Sequence, residues 1–378
     1  MIEIKEVKTR SDIRNFIQFP NGLYKGNDCY VPPLESEEKK LFKKNHPAYE
    51  QSEAVFYLAY RNGEVVGRIM GILQRAYNQK TGEKRVRFTR FDSIDDQEVA
   101  NALFGAVENW AKSKGMDTVH GPLGFNDLER EGLLIDGFDQ LSTFEEQYNY
   151  EYYKKLIENV GYVKETDWSE RKVYAPDKVD ERMERIANLC AKKHNLSVAK
   201  CKNMRSLLKK YKDQIFDLVD LCYSSLYGVV PITEKERKGL VGQFNLLLKP
   251  EYIKIVVNEN DEVVGFGFAM PSLSRALQPS KGRLTLPAII RVLKAVKNPQ
   301  IMDFALVAVH PDYRMKGVAA LITLEMQRLM VSYKNVSHYE TNLNLEDNEE
   351  IQNWWDSYKT EKHKMRRSFV KKLGGKNE

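Results

Sequence analysis

Apolar positions along the chain fall into two series with the same order. Residues 55–73, VFYLAYRNGEVVGRIMGIL, read as an apolar strand, a polar turn at Asn62-Gly63 and a second apolar strand. Residues 252–271, YIKIVVNENDEVVGFGFAMP, repeat that order around a turn from Asn258 to Asp261, and the string EVVG recurs at 64–67 and 262–265. A third strand follows in each series, at 85–92 and at 303–309, and then a long helix. Val99, Leu103, Val107, Trp110 and Ala111 share one face of a helix expected over 96–114, which Gly115 stops. Ile322, Met326, Leu329 and Tyr333 mark a stripe along a second helix expected over 316–333. Short strands follow at 117–121 and 335–340, and a helix and a closing strand end each series. Pro176 and Asp177 break the chain between the two, and a helix near 179–194 opens the second.

This order predicts an α+β protein with mixed sheets, built as two tandem units at 1–176 and 177–378. The second series is longer by about twenty residues, which places an insertion at about 271–300. There Thr285 can cap a helix whose first turn holds Pro287, with an apolar surface from Ala288 to Val296 and a basic stripe at Arg291, Lys294 and Lys297. Such a helix either packs on the neighbouring unit or serves a lipid-like substrate, as an acyl channel or an anionic membrane contact across 284–297.

Composition narrows the classes. The chain has 378 residues, 42% hydrophobic and 30% charged, with 59 basic and 53 acidic side chains for a formal charge of +6. That excess suits an anionic ligand and falls short of a nucleic-acid footprint, so no nucleic acid partner is expected. No apolar leader or membrane span is visible, and the expected place is the cytoplasm, at the inner membrane face where 284–297 meets lipid. The four cysteines, Cys29, Cys190, Cys201 and Cys222, form no CxxC pair, and no HExxH occurs, so no metal is expected.

The stretch 309–322, VHPDYRMKGVAALI, carries the most specific chemistry. A strand ends at Val309, and Arg314-Met315-Lys316-Gly317-Val318-Ala319 enters an apolar helix. A helix start offers unpaired N–H groups and a positive dipole end, and Gly317 and Ala319 are small beside two cations. The matching turn, FDSIDDQEVA at 91–100, instead offers Asp92, Asp95, Asp96 and Glu98, which repel an anion. One phosphate site is therefore expected, in the second unit.

At these residues the chain resembles the GNAT superfamily of acyl-CoA-dependent N-acyltransferases, whose pyrophosphate motif Q/R-x-x-G-x-G/A is matched by Arg314, Gly317 and Ala319. The stretches YVPPL, GLLIDGFD, YNYEYYKKLIENVGY, VVPITEKE and ETNLNLEDN also resemble a bacterial family of tandem GNAT proteins, some linked to long-chain N-acylation in sphingolipid synthesis. The resemblance implies two GNAT-like units, the first degenerate, and acyl-CoA or acetyl-CoA as co-substrate for an amine acceptor. It implies backbone contacts to pantetheine and the acyl carbonyl at Val307, Ala308 and Val309, pyrophosphate contacts from Arg314 to Ala319, and a cofactor contact at Asn348. Asn348 reads equally as a helix cap. Asp303 and Glu340 are candidate general bases, and each reads also as a solvated strand residue. Tyr358 is a candidate acid for the leaving thiolate. Direct attack by the amine is expected, with no cysteine near the motif to act as nucleophile. Two other readings stay open: a Fem-type aminoacyl transferase using aminoacyl-tRNA, and a non-catalytic CoA-binding scaffold.

Overall fold

The structure is a computed structural model that describes residues 1–374 and, at 243–247, the backbone alone. By contact the chain divides into two compact units that interleave along the sequence. Unit 1 holds residues 1–169, 273–292 and 363–378, and unit 2 holds 170–272 and 293–362.

In unit 1, β1 (Glu3–Glu6), β2 (Ser52–Arg61), β3 (Glu64–Gln74) and β4 (Arg85–Ser93) form an antiparallel run, and β5 (Thr118–Gly121) lies parallel to β4. β3 is buried on both faces. Ile69 and Leu73 meet the helix Gln97–Ser113 through Val99, Leu103 and Val107, while Met70 and Ile72 meet Phe16, Phe56 and Phe125. That double burial is why β3 reads as a nearly unbroken apolar run. The helix runs one residue inside its expected bounds at each end, capped by Asp96 and closed by Gly115 in the left-handed region at φ +73°. Two further strands, β6 (Leu133–Asp136) and β7 (Val163–Val173), complete the N-terminal series.

Unit 2 repeats the plan. β8 (Ser197–Val198), β9 (Ile253–Val257), β10 (Val263–Pro271) and β11 (Ile301–Val309) are antiparallel neighbours, and β12 (His338–Thr341) lies parallel to β11. The helix Val318–Ser332 crosses β10, and a second helix, Glu181–Lys193, begins at a side-chain cap from Asp180.

The EVVG repeat has a packing cause. A Cβ on Gly67 would lie 2.8 Å from Leu103 and 3.0 Å from Val99, and one on Gly265 would lie 2.4 Å from Val318 and 3.2 Å from Ile322. Each glycine is where the long helix crosses the second hairpin strand, and each sits at a register shift in the ladder.

The closing strands differ from the expected plan. β13 (Asn344–Leu345) pairs with β7, and the last residues of β7 pair with β12 in unit 2, Val173 opposite Tyr339 and Lys172 opposite Glu340. The last strand, β14 (Thr360–Lys372), gives its residues from His363 onward to unit 1, where Phe369 faces Gly121 and Arg367 faces Leu133. Arg367 grips Asp167 there through two bonds of 2.7 and 2.8 Å. The last residues of β7 thus belong to unit 2, and those of β14 from His363 onward belong to unit 1.

The insertion takes one of its two expected courses. Its first part is held by unit 1 rather than beside β11. Gln278 donates to the carbonyls of Asp28 and Tyr30, Glu35 N–H donates to Gly282, and Arg283 pairs with Glu35 at 3.0 Å. Gly282, at φ +80°, leaves no room for a Cβ, which would meet Pro33 O at 2.3 Å.

Two glycine substitutions test this packing in opposite directions. Gly105→Ala, mid-helix with open space around it, should raise stability by about 0.5–1 kcal/mol. Gly265→Ala should lower it by about 1–3 kcal/mol, because Val318 has to move. Urea midpoints of the two variants read the difference.

Candidate active site

β12 stays beside β11 only from Ile301 to Phe304. Asn342 N–H still donates to Phe304 O at 3.0 Å, and its side-chain amide reaches Ala305 O at 3.3 Å. β13 then pairs with β7, so the chain after β12 leaves β11. From Val307 to Val309, β11 keeps β10 on one edge, and its other edge meets side chains instead of a strand. The Tyr223 hydroxyl donates to Val307 O at 2.9 Å and accepts from Val307 N–H at 3.4 Å. The Cys222 thiol donates to Val309 O at 3.3 Å. Both residues end the helix Met204–Tyr223.

The loop that follows is a 3-10 turn, Pro311–Lys316, and Gly317 at φ +83° turns it into the helix Val318–Ser332. No side chain caps that helix start. Its first N–H groups are the donors a phosphate would take. Arg314 is exposed and pairs with Glu350 at 3.0 Å, a surface contact worth little and easily released. Lys316 lies over the Tyr313 ring, and Met315 is 97% exposed. Val318 turns its side chain into the core, and only its backbone is available at the loop. Gly317 is needed for two reasons, its left-handed backbone and Cys190, whose Cβ would lie 2.3 Å from an added Cβ.

Cys190 and Cys222 thus correct the expectation that no cysteine lies near the motif. Sequence distance hid them, since both come from helices more than eighty residues upstream. Burial pushes the Cys222 thiol up, and its hydrogen is engaged with Val309, so it is a weak nucleophile there.

Asp303 and Glu340 are brought together. They are register partners on β11 and β12, 4% and 7% exposed, which removes the reading of solvated strand residues. His338 Nε2 lies 3.4 Å from Glu340 Oε1. Glu170, fully buried at the end of β7, has a carboxylate oxygen within 4.8 Å of one of Glu340's, and no pattern in the sequence singled it out. Asp303 stands four residues before Val307, about 13 Å along the strand, so it reaches chemistry there through water. Tyr358 is half-buried, and burial pushes its hydroxyl up to about 12, which keeps it protonated at neutral pH. Asn348 caps the helix Glu349–Trp355, accepting from Ile351 N–H at 3.2 Å.

Unit 1 has the matching divergence and fills it. β4 and β5 pair only through Arg87 and His120, and Leu123 N–H donates to Phe88 O as Asn342 does to Phe304. Beyond that point Gln147 donates to Phe91 O, the Tyr152 hydroxyl to Ser93 O, and Ser93 N–H to the Tyr153 hydroxyl. Tyr153 and Tyr24 are buried over Asp92, which Arg68 holds at 2.7 Å. Asp92 is therefore core and not part of the helix start, as its sequence position suggested. Asp96 caps that start and pairs with Arg61, so the acids there are already engaged.

No family model matches the chain. A tandem GNAT protein from the clavulanic acid biosynthesis pathway superposes with a TM-score of 0.56 at 11% identity, covering 100% of both chains. The chain has the tandem GNAT fold. A GCN5-related N-acetyltransferase from Sphaerobacter thermophilus superposes with a TM-score of 0.51 at 12% identity, over 99% of this chain and 96% of that one. By sequence the chain is 24% identical to Protein YghO of Escherichia coli over 98% of its own length and 95% of that protein's. It is 26% identical to the bacterial ceramide synthase of Caulobacter vibrioides over 75% and 73% of the two lengths. Among the two GNAT-like units, the second alone combines an uncapped helix start with a strand edge met by displaceable side chains.

The filled cleft of unit 1 predicts a pH-dependent defect. Burial already lifts Asp92 above the usual carboxyl range, against the pull of Arg68. Arg68→Met should cost about 3–5 kcal/mol near pH 8, where the folded state must keep an unpaired carboxylate. A raised folded pKa means that the folded form holds the extra proton, so the loss should shrink as pH falls toward 5. Denaturant titrations at the two pH values check the sign.

Proposed function

We propose that the protein is an acyl-CoA-dependent N-acyltransferase whose second unit holds the donor and passes its acyl group directly to an amine. The observation that carries this reading is the meeting, in one unit, of two features. On its edge away from β10, β11 has no paired strand from Val307 to Val309, and a helix whose N-cap is Gly317 begins nine residues beyond it at Val318. The amide groups of pantetheine suit the first, and the pyrophosphate suits the second, with Arg314 released from Glu350 to meet it.

The reaction needs little covalent help. The amine nitrogen bonds to the thioester carbon, the carbon–sulfur bond breaks, and the proton lost by nitrogen ends on the thiolate. Asp303 or Glu340 takes the amine proton through water, and Tyr358, kept protonated by burial, is the acid for sulfur. Val307 N–H, now engaged with Tyr223, is the backbone donor for the carbonyl oxygen as charge develops. The relative named bacterial ceramide synthase supports a long acyl chain and a lipid-like amine such as a sphingoid base. The decisive assay is thiol release from acyl-CoA of graded chain length, with small amines and sphingoid bases as acceptors. CoA that raises the melting temperature without any thiol release from any pair would favour the scaffold reading.

Two sets of variants test the donor site. Ala319→Glu places an acid in the first turn, which favours the helix by about 0.3–1 kcal/mol yet repels a phosphate. It should keep or raise thermal stability while CoA affinity falls at least about tenfold, with Arg314→Ala several-fold weaker. Unchanged CoA affinity in Ala319→Glu would sink the loop assignment.

Tyr223→Phe frees the Val307 groups at a stability cost of about 1 kcal/mol. The cofactor no longer has a hydroxyl to displace, so CoA should bind several-fold tighter, read by calorimetry. Equal binding with a fall in kcat would assign Tyr223 to proton transfer instead.

A further inference from the structure

Between Glu262 and Asp303 the chain carries no acidic residue and six basic ones: Arg275, Lys281, Arg283, Arg291, Lys294 and Lys297. Within that span the helix Leu286–Lys297 buries only Ala288. Leu286, Ile289, Ile290 and Leu293 recur at the i, i+3, i+4, i+7 spacing that ordinarily faces a core. Here they are 71, 42, 44 and 57% exposed, and Leu284 just before them is 51% exposed. A contiguous exposed apolar stripe of this kind marks a contact surface.

The stripe is held out firmly. Gln278 and Gly282 anchor the preceding turn to residues 28–35, and Arg291 donates to Ala276 O at 3.0 Å. Beside it, Gln18, Lys281, Arg283, Thr285 and Arg291 line an open cleft of about 580 Å³. Glu35 is the acid at its edge, and it is already shared by Arg283 and Lys39. Among the described residues no helix is long and apolar enough to cross a membrane.

We propose that this face docks the protein on an anionic lipid surface, with the apolar stripe at the acyl boundary and the basic cleft on phosphate headgroups. Charge selects this occupant. A partner copy would bring the same cations against these, whereas an anionic bilayer offers apolar chains and negative charge together. The proposal goes beyond the acyltransferase reading and does not depend on it.

Flotation of the full chain with vesicles tests it, with no acyl donor present. Vesicles of phosphatidylcholine with about a third phosphatidylglycerol should bind the protein at least about tenfold better than phosphatidylcholine alone, and high salt should erase most of the difference. Leu286→Gln with Ile290→Gln should lose binding by at least about tenfold. Lys294→Gln with Lys297→Gln should weaken it several-fold and flatten its salt dependence. The melting temperature without ligand should be nearly unchanged in both, which reports folding and keeps this test separate from the donor site. Equal flotation on the two vesicle types would overturn the proposal. So would a wild-type dimer that the Leu286/Ile290 variant dissociates while neither protein floats.

Discussion

A β-strand that loses its neighbour inside a protein must find other partners for its N–H and C=O groups. In both units of this chain the third strand of the series meets that constraint, because the parallel strand beside it turns away after a few residues. Everything that distinguishes the two units follows from how the vacated edge is satisfied. In unit 1 the answer is permanent: Gln147, Tyr152 and Tyr153 bond to Phe91 and Ser93, and Tyr153 belongs to the core over Asp92. In unit 2 it is provisional: Tyr223 and Cys222 reach β11 from the end of one helix, and neither is fully buried.

Under the proposed function, that difference decides which unit accepts a donor. Removing Tyr153 from Ser93 would expose Asp92 and strip Arg68 of its setting, at a cost of several kcal/mol. Removing the Tyr223 hydroxyl from Val307 breaks contacts of about 1 kcal/mol each, which under the proposed function pantetheine amides and the acyl carbonyl would replace in kind. The helix starts repeat the contrast. Asp96 accepts from two N–H groups at the start of its helix, while Gly317 offers no side chain to cap the other.

Much of the fold was legible because it is local. Helix bounds at 97–113 and 181–193 follow apolar spacing and caps within a few residues of expectation, and the EVVG repeat marked two real helix crossings. Which unit the ends of the closing strands join was not legible. β7 and β14 carry similar mixed patterns, and nothing in a period-two alternation says which sheet a strand joins. The site divided along the same line. Asp303 and Glu340 meet because their strands are parallel neighbours, which the strand order implied. Tyr223, Cys222, Cys190 and Glu170 arrive from elsewhere in the chain, and only packing brings them in.

Gly317 shows how a correct residue can carry an incomplete reason. Read from sequence, a glycine before the helix lets an anion approach the backbone. In the fold, its hydrogen faces Cys190 and its φ of +83° turns the 3-10 segment into the helix. Its chief work is to aim Val318, Ala319 and the residues after them, so under the proposed function the phosphate donors are the N–H groups of the helix itself. A glycine at 317 is therefore needed even before any ligand binds, and the sequence signature of the site is first a signature of the turn. Under the proposed function, the preference for an anion comes from the cap position itself: Gly317 has no side chain to take the place that Asp96 takes in the other unit.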